Sequence, residues 1–453
     1  MPMRFIRLSR MDRLAPRSAS RALRLVCGVV LGSLVFASGA HAETLTVDSA
    51  IDQALQRNPR LSAAARSIAA ARAGVRSAGA LANPELLLVP GLTSLAGTGE
   101  ELLLVQPLEL NGARSARAAI AGGELKGAQA AAVHELRQLV FETRTAYLEL
   151  ARAREYRSVA ASILASTEEM DRIARRQVEV GSRPGIDRIQ SGLEVSRARQ
   201  QLERADGRVA SAAAALNTLI GRGPEEVVAD LSPLDAPETK LDRQQAQEQA
   251  VKSRAEVLAA EAQKDVFKGE GRLARAQGRP DLAPQLRSGS LFHGVREAGV
   301  GLSITLPIFD HGQRRHRIEQ VEEAVRAQDD RISAARSQVR LEVEQAMARL
   351  RTADAVVRQY REGVLDQSRR LLDATLSGFR SGFSTIASVV EAQRTYRGVQ
   401  TEYADALIEH ALARAEFERA VGAVSASLLP DASPRKPIVT VSPASSPSAS
   451  SSK

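Results

Sequence analysis

Aromatic residues make up 3% of this 453-residue chain, tryptophan is absent, and the single cysteine is Cys27. With no thiol after Cys27, the rest of the chain has no disulfide, no thiolate metal site and no cysteine nucleophile. Beyond the N-terminal region no apolar run reaches the roughly 18 residues that a membrane-spanning helix needs. Contact with a bilayer would therefore have to be made by strands. The sequence also lacks GxxxxGK[ST], HExxH and GxSxG, and with them a phosphate loop, a zinc-protease helix and a nucleophile elbow. Past the N-terminal region the histidines are His134, His293, His311, His316 and His410, and only His311 and His316 are neighbours, at a spacing that misses one helix face. Met170 and Met347 are too few for a soft-metal relay. The expectation is a protein that is not an enzyme, with no catalytic residue, no cofactor and no metal site.

The formal charge of +9 resides mostly in the first 42 residues. Arg4, Arg7, Arg10, Arg13, Arg17, Arg21 and Arg24 precede an apolar run from Leu25 to Phe36, and the segment ends on Ala40-His41-Ala42. A basic start, a short apolar core and a small-x-small end predict a cleaved signal peptide over 1–42. Cys27 sits near the start of the apolar run without a small residue at the cleavage position, which argues against lipidation. Without this segment basic and acidic residues nearly balance, and no basic stripe with interleaved aromatics remains, so nucleic acid is not an expected partner.

What the chain does have is an internal repeat. Ala54-Leu55 with Arg60-Leu61 returns as Ala250-Val251 with Glu256-Val257, and Asn83-Pro84-Glu85-Leu86 returns as Arg279-Pro280-Asp281-Leu282. Pro-x4-Gly-x-Arg occurs as Pro107, Gly112 and Arg114 and again as Pro307, Gly312 and Arg314. Gly-x-Arg-x-Gly occurs as Gly181, Arg183 and Gly185 and again as Gly378, Arg380 and Gly382. The ordered series divides the chain into the signal peptide at 1–42, a first repeat at 43–221, an irregular linker at 222–245, a second repeat at 246–425 and a Ser/Pro-rich tail at 426–453. The tail lacks the apolar content to fold.

Each copy has one plan. In the first, a helix over 46–82 is broken by Asn83-Pro84, a strand-like stretch with Gly/Thr-rich turns follows, and a helix over 112–180 comes next. That helix would be on the order of 100 Å long. A turn at 181–185 reverses the chain into a helix ending near Gly221. Leu136, Val140, Thr143, Tyr147 and Leu150 step at heptad spacing, as do Ala346, Leu350, Ala353, Val357, Tyr360 and Val364. Over 297–306, Val300, Leu302, Ile304 and Leu306 alternate with Gly301, Ser303 and Thr305, the period-two pattern of a bilayer-crossing strand. Stretches 85–92, 99–108 and 284–293 alternate less cleanly. Four strands cannot close a barrel alone, so a membrane location requires several chains to share one. A coiled-coil scaffold in the periplasm without a pore is the alternative that the helices alone would allow.

The duplicated plan, together with LTVDSAIDQALQRNPRL at 45–61, VQPLELNGAR at 105–114, LPIFDHGQR at 306–314 and FRSGFSTIASVVEAQRTY at 379–396, resembles the TolC-type outer membrane factors. NPELLL with QPLELNGARSAR looks most like the cobalt-zinc-cadmium resistance branch. The resemblance implies a mainly α fold with a small β part. Duplicated long helical hairpins would form an α-barrel tunnel, and four strands per chain would enter a trimeric twelve-stranded barrel in the cell outer membrane. It implies a homotrimer that contacts outer membrane lipid, a periplasmic adaptor and an inner-membrane pump of the resistance-nodulation-division type. The cargo would be heavy-metal cations, with multidrug or type I protein secretion as the alternatives within the same fold.

By the same resemblance, Gly181, Arg183, Gly185, Gly378, Arg380 and Gly382 would meet the adaptor, although the glycines also suit helix ends on their own. The periplasmic aperture would involve Asp187, Arg188, Ser191 and Glu194 in the first copy and Phe379, Ser384, Ser388 and Glu391 in the second. Ser191 and Ser388 stand where the family usually has its main acidic residue, which leaves Glu194 and Glu391 as the carboxylates available to a ring. Both glutamates would equally suit an exposed coiled-coil face.

Overall fold

The computed structural model describes residues 44–89, 101–181, 184–233, 242–289, 297–380, 383 and 386–423. The predicted signal peptide and the tail from 426 lie outside them. The described chain runs α1 (Val47–Arg57), α2 (Pro59–Ala78), β1 (Glu85–Val89), β2 (Glu101–Val105), α3 (Ala113–Glu179), α4 (Gly185–Leu219), α5 (Arg243–Ser253), α6 (Ala255–Ala276), β3 (Asp281–Gly289), β4 (Glu297–Thr305), α7 (Gln313–Gln359), a π-helical turn (Tyr360–Val364), α8 (Leu365–Arg380) and α9 (Ile386–Val421).

The helix expected over 46–82 is two helices that end at Ala78. Asn58 is the residue that divides them. It closes α1 through its backbone N–H to the Ala54 carbonyl and opens α2 by accepting from Arg60 N at 3.0 Å, while Pro59 takes the first helical position, where no N–H is needed. The second copy breaks at the equivalent Arg254. Helix α5 starts at Arg243 on an Asp242 cap, so the irregular connection is shorter than 222–245.

α3 packs against α4, α2 and α6, and its expected seam is real: Leu136, Val140, Thr143, Tyr147 and Leu150 are all buried. In the second copy Ala346, Leu350 and Val357 are buried, whereas Ala353, Tyr360 and Val364 are only partly so. The π turn begins at Tyr360 and rotates the following side chains off the heptad face. The main core gathers α1, α3, α4 and α9 around Tyr147, Leu136, Leu139 and Leu216. Tyr147 is fully buried and its hydroxyl donates to the Leu45 carbonyl at 2.8 Å. Leu45 in turn bridges to Leu231 of the inter-repeat segment, whose carbonyls at Val228 and Ala229 accept from Arg154.

The four strands form one antiparallel sheet in the order β1-β2-β3-β4, with β1 and β4 at open edges. Where the expected bounds fall on described residues, β3 starts at Asp281, earlier than expected, paired with Thr305, the last residue of β4, and β2 ends earlier, at Val105.

Candidate functional site

The register sorts the side chains of the sheet onto two faces. Leu86, Leu104, Leu286 and Val300 stand in one row across all four strands, and Leu88, Leu102, Ser288 and Ala298 stand in another on the same face. Leu282, Pro284, Leu302 and Ile304 complete that face. Among the described residues most of this face is open: Val300 is 85% exposed, and Leu86, Leu88, Leu286, Leu302 and Ile304 are exposed too, while Leu102, Leu282 and Pro284 are partly buried. The opposite face carries Gln285, Arg287, Gly299, Gly301, Ser303 and Thr305, mixed with Leu87, Leu103 and Val105. An uncovered apolar face on a sheet with two open edges is stable only against apolar surroundings and with further strands to complete its hydrogen bonds.

The predicted junction residues sit where each strand pair returns to a helix. Gly112 and Gly312 are the residues before α3 and α7, with φ of 93° and 86°, a left-handed conformation that a side chain would strain. Glu109, before Gly112, and His311, before Gly312, are also left-handed, at φ 51° and 49°. Asn111 accepts from Ala113 N at 2.9 Å, and Asp310 accepts from Gly312 N at 3.1 Å. Arg117 grips Glu109 through both guanidinium nitrogens and holds its carboxyl below the usual range. Arg314 lies against Gly278 and faces Asp310 at 3.8 Å.

At the other end of α3, Gly181 adopts φ 73° and Pro184 caps α4. Around this tip Val180, Ile186, Ile189 and Leu193 are exposed, Ile189 at 72%. Arg183, Gly382 and Ser384 lie outside the described residues, as do the side chains of Asp187, Phe379 and Arg380. Gly378 accepts from Phe383 N at 2.8 Å at the second tip. Gly185 is the first residue of α4, Arg188 is exposed, and so is Ser388.

Ser191 turns inward, and its hydroxyl donates to Asp171 Oδ1 on α3 at 2.7 Å. Arg175 Nε donates to the other oxygen, also at 2.7 Å. The Ser191 hydrogen bond first, then Arg175, holds the Asp171 carboxyl below the ordinary aspartate range. Asp171 was not among the sequence candidates. Its signal was its placement: Asp171 and Ser191 are equidistant from Gly181 on the two arms of the hairpin. Glu194 and Glu391 are exposed, and each accepts from an arginine one turn on, Arg197 at 2.6 Å and Arg394 at 3.3 Å.

A groove of about 990 Å³ runs along α7 and α9, with apolar walls at Val356, Ala406 and Leu412 and carboxylates at Glu402, Asp405, Glu409 and Glu416. Each carboxylate braces a neighbouring helix: Tyr360 donates to Glu402, Tyr156 to Asp405, Arg152 to Glu409 and Arg349 to Glu416. These acids are spent on packing, not poised as an acid–base pair.

The outer membrane efflux protein family model matches residues 50–222 and 246–423. The cobalt-zinc-cadmium resistance protein CzcC of Cupriavidus metallidurans is 27% identical over 389 residues, which cover 84% of this chain and 91% of that protein. The pyoverdine export outer membrane protein OpmQ of Pseudomonas aeruginosa is 26% identical over 59% of this chain and 57% of its own length. Among solved structures, the outer membrane protein VceC of Vibrio cholerae superposes with a TM-score of 0.67 at 18% identity, over 83% of this chain and 96% of that one.

Proposed function

Because this chain belongs to the outer membrane efflux protein family, we propose that it is the passive outer membrane duct of a tripartite efflux system. Three copies would close the sheet into a twelve-stranded barrel, with the apolar face toward lipid and the helical hairpins forming a tunnel below it. The uncovered apolar face is the observation that carries this reading. The tunnel would receive its cargo from a periplasmic adaptor and an inner-membrane pump of the resistance-nodulation-division type. In this arrangement the turns at Gly181–Gly185 and Gly378–Gly382, with Arg183 and Arg380, meet the adaptor. The exposed Val180, Ile186 and Ile189 give that contact an apolar centre.

The likeness to CzcC, which spans 91% of that protein, supports heavy-metal cations as cargo. The likeness to OpmQ supports the alternative of a larger organic cargo. Glu194 and Glu391, with Arg197 and Arg394, supply mixed charge to the aperture, along with Arg188 and Ser388. Asp187, Phe379 and Ser384 belong to the same constriction, and Ser191 serves it indirectly by tying α4 to Asp171. Pro107, Gly112, Arg114 and their counterparts Pro307, Gly312 and Arg314 set the bend from barrel to tunnel.

Purified protein added to a planar bilayer tests the proposal. The expected result is stepwise conductance from a species of three chains. A monomer that stays in solution without detergent and gives no conductance would sink it.

A further inference from the structure

We propose that four exposed arginines at the helical end of the sheet form a collar that binds the phosphates of phospholipid headgroups in the inner leaflet of the outer membrane. The inference rests on the membrane location proposed above. The antiparallel register brings all four strand–helix junctions to one end of the sheet, where Glu85 pairs with Val105 and Asp281 with Thr305. Each junction carries an exposed arginine: Arg76 in the last turn of α2, Arg114 in the first turn of α3, Arg279 between α6 and β3, and Arg315 in the first turn of α7, whereas Arg275 in the last turn of α6 is taken up by Glu322.

None of these four guanidinium groups makes an ion pair or side-chain hydrogen bond within the described residues. The acids around them are engaged elsewhere. Glu109 is gripped by Arg117, Asp281 accepts from Leu110 N and Leu282 N, both at 3.0 Å, and Asp310 accepts from Gly312 N. Arg114 still lies within Coulombic reach of Glu109, and Glu85 is exposed at the same end.

The lipid-side neighbours fit. Leu306, Ile308 and Phe309 are exposed between β4 and Arg315, Phe309 at 87%, so the apolar surface runs down to the collar. The described strands contain no aromatic residue, so the Trp/Tyr belt that usually fixes a barrel at the membrane–water boundary is missing there. Arginine suits that place. Its stem lies along apolar surface while its planar fork grips a phosphate through two parallel hydrogen bonds.

The test reconstitutes the full chain without its leader into vesicles of phosphatidylglycerol and, separately, of digalactosyldiacylglycerol, a bilayer lipid that lacks phosphate. Lipid retained after detergent extraction is counted by native mass spectrometry. Wild type should retain phosphatidylglycerol in preference to the galactolipid, and each Arg→Gln change at 76, 114, 279 and 315 should weaken retention about fivefold. The quadruple Arg→Lys variant, with charge kept and fork lost, should fall between wild type and the quadruple Gln variant. Equal retention of phosphatidylglycerol by wild type and a helical, inserted quadruple Gln variant overturns the collar. So does competition by millimolar inorganic phosphate, which would mark a free-anion site. Failure of wild type to insert into either lipid overturns the membrane reading itself, a separate result.

Discussion

Two adjacent glycines of α3, Gly122 and Gly123, should answer the same substitution with opposite signs. A Cβ on Gly123 would stand 2.7 Å from Val266 Cγ2, 2.9 Å from Val266 N and 3.2 Å from the Ala262 carbonyl oxygen of α6. The contact is reciprocal, since a Cβ on Gly269 would stand 2.7 Å from Ile120 Cγ1 and 2.9 Å from Ile120 N of α3. Carbon atoms pack at roughly 3.5–4.0 Å, so alanine at either site must push the helices apart against backbone as well as side chain. Such overpacking costs about 1–3 kcal/mol, set against about 1 kcal/mol gained by replacing a helical glycine with alanine. Gly122 has nothing within 4 Å of its added Cβ, so Gly122→Ala keeps the whole gain. Guanidinium unfolding in detergent, followed by far-ultraviolet circular dichroism, should show a higher midpoint for Gly122→Ala and lower midpoints for Gly123→Ala and Gly269→Ala. If Gly123→Ala and Gly122→Ala stabilise alike, α3 and α6 do not approach as described and the reasoning fails.

Three further outcomes follow from the geometry. Arg254, 11% exposed at its side chain, bridges Glu256 and Glu342, which stay partly solvated, so Arg254→Met should cost about 1.5–3 kcal/mol. Its counterpart Arg60, 38% exposed, should cost below about 1 kcal/mol in the same unfolding assay, and equal costs would contradict the burial difference. Asp171 has a depressed pKa, so it contributes stability above the ordinary aspartate range near pH 4, and that contribution is lost as pH falls through its folded value. Ser191→Ala should shrink that acid-side loss, and an unchanged pH profile would show the hydrogen bond to be idle. At the proposed aperture, Arg197→Gln with Arg394→Gln should raise the cation-to-anion permeability ratio, and Glu194→Gln with Glu391→Gln should lower it. Reversal potentials unmoved in both variants would remove these residues from the constriction.

Much of this fold could be read from the residues because the repeat doubles each signal. Pro-x4-Gly-x-Arg marked both strand–helix junctions, and the glycines prove to be the left-handed residues that start α3 and α7. The break at Asn58-Pro59 escaped because proline at the first helical position is compatible with a continuing apolar period, whereas Asn83-Pro84 stands out as a stop. The repeat sets Arg60 against Glu256, opposite charges at one position. In three dimensions the cation has moved: Glu142 is met by Arg60 at 2.5 Å, and Glu342 by Arg254 at 2.7 Å. Asp171 was hidden for a related reason. Its partner is on the facing arm, where spacing along one helix gives no clue.

Nitroxide labelling along β4 gives the most direct test of whether the apolar face lies in lipid. Cys27 is the only native thiol and falls within the predicted leader, so single cysteines at 299 to 304 can be labelled without background. In reconstituted vesicles, collisions with oxygen should peak at 300, 302 and 304, while a water-soluble nickel complex should reach 299, 301 and 303. Equal access of the nickel complex to all six positions would place the strand in water and contradict the outer membrane channel.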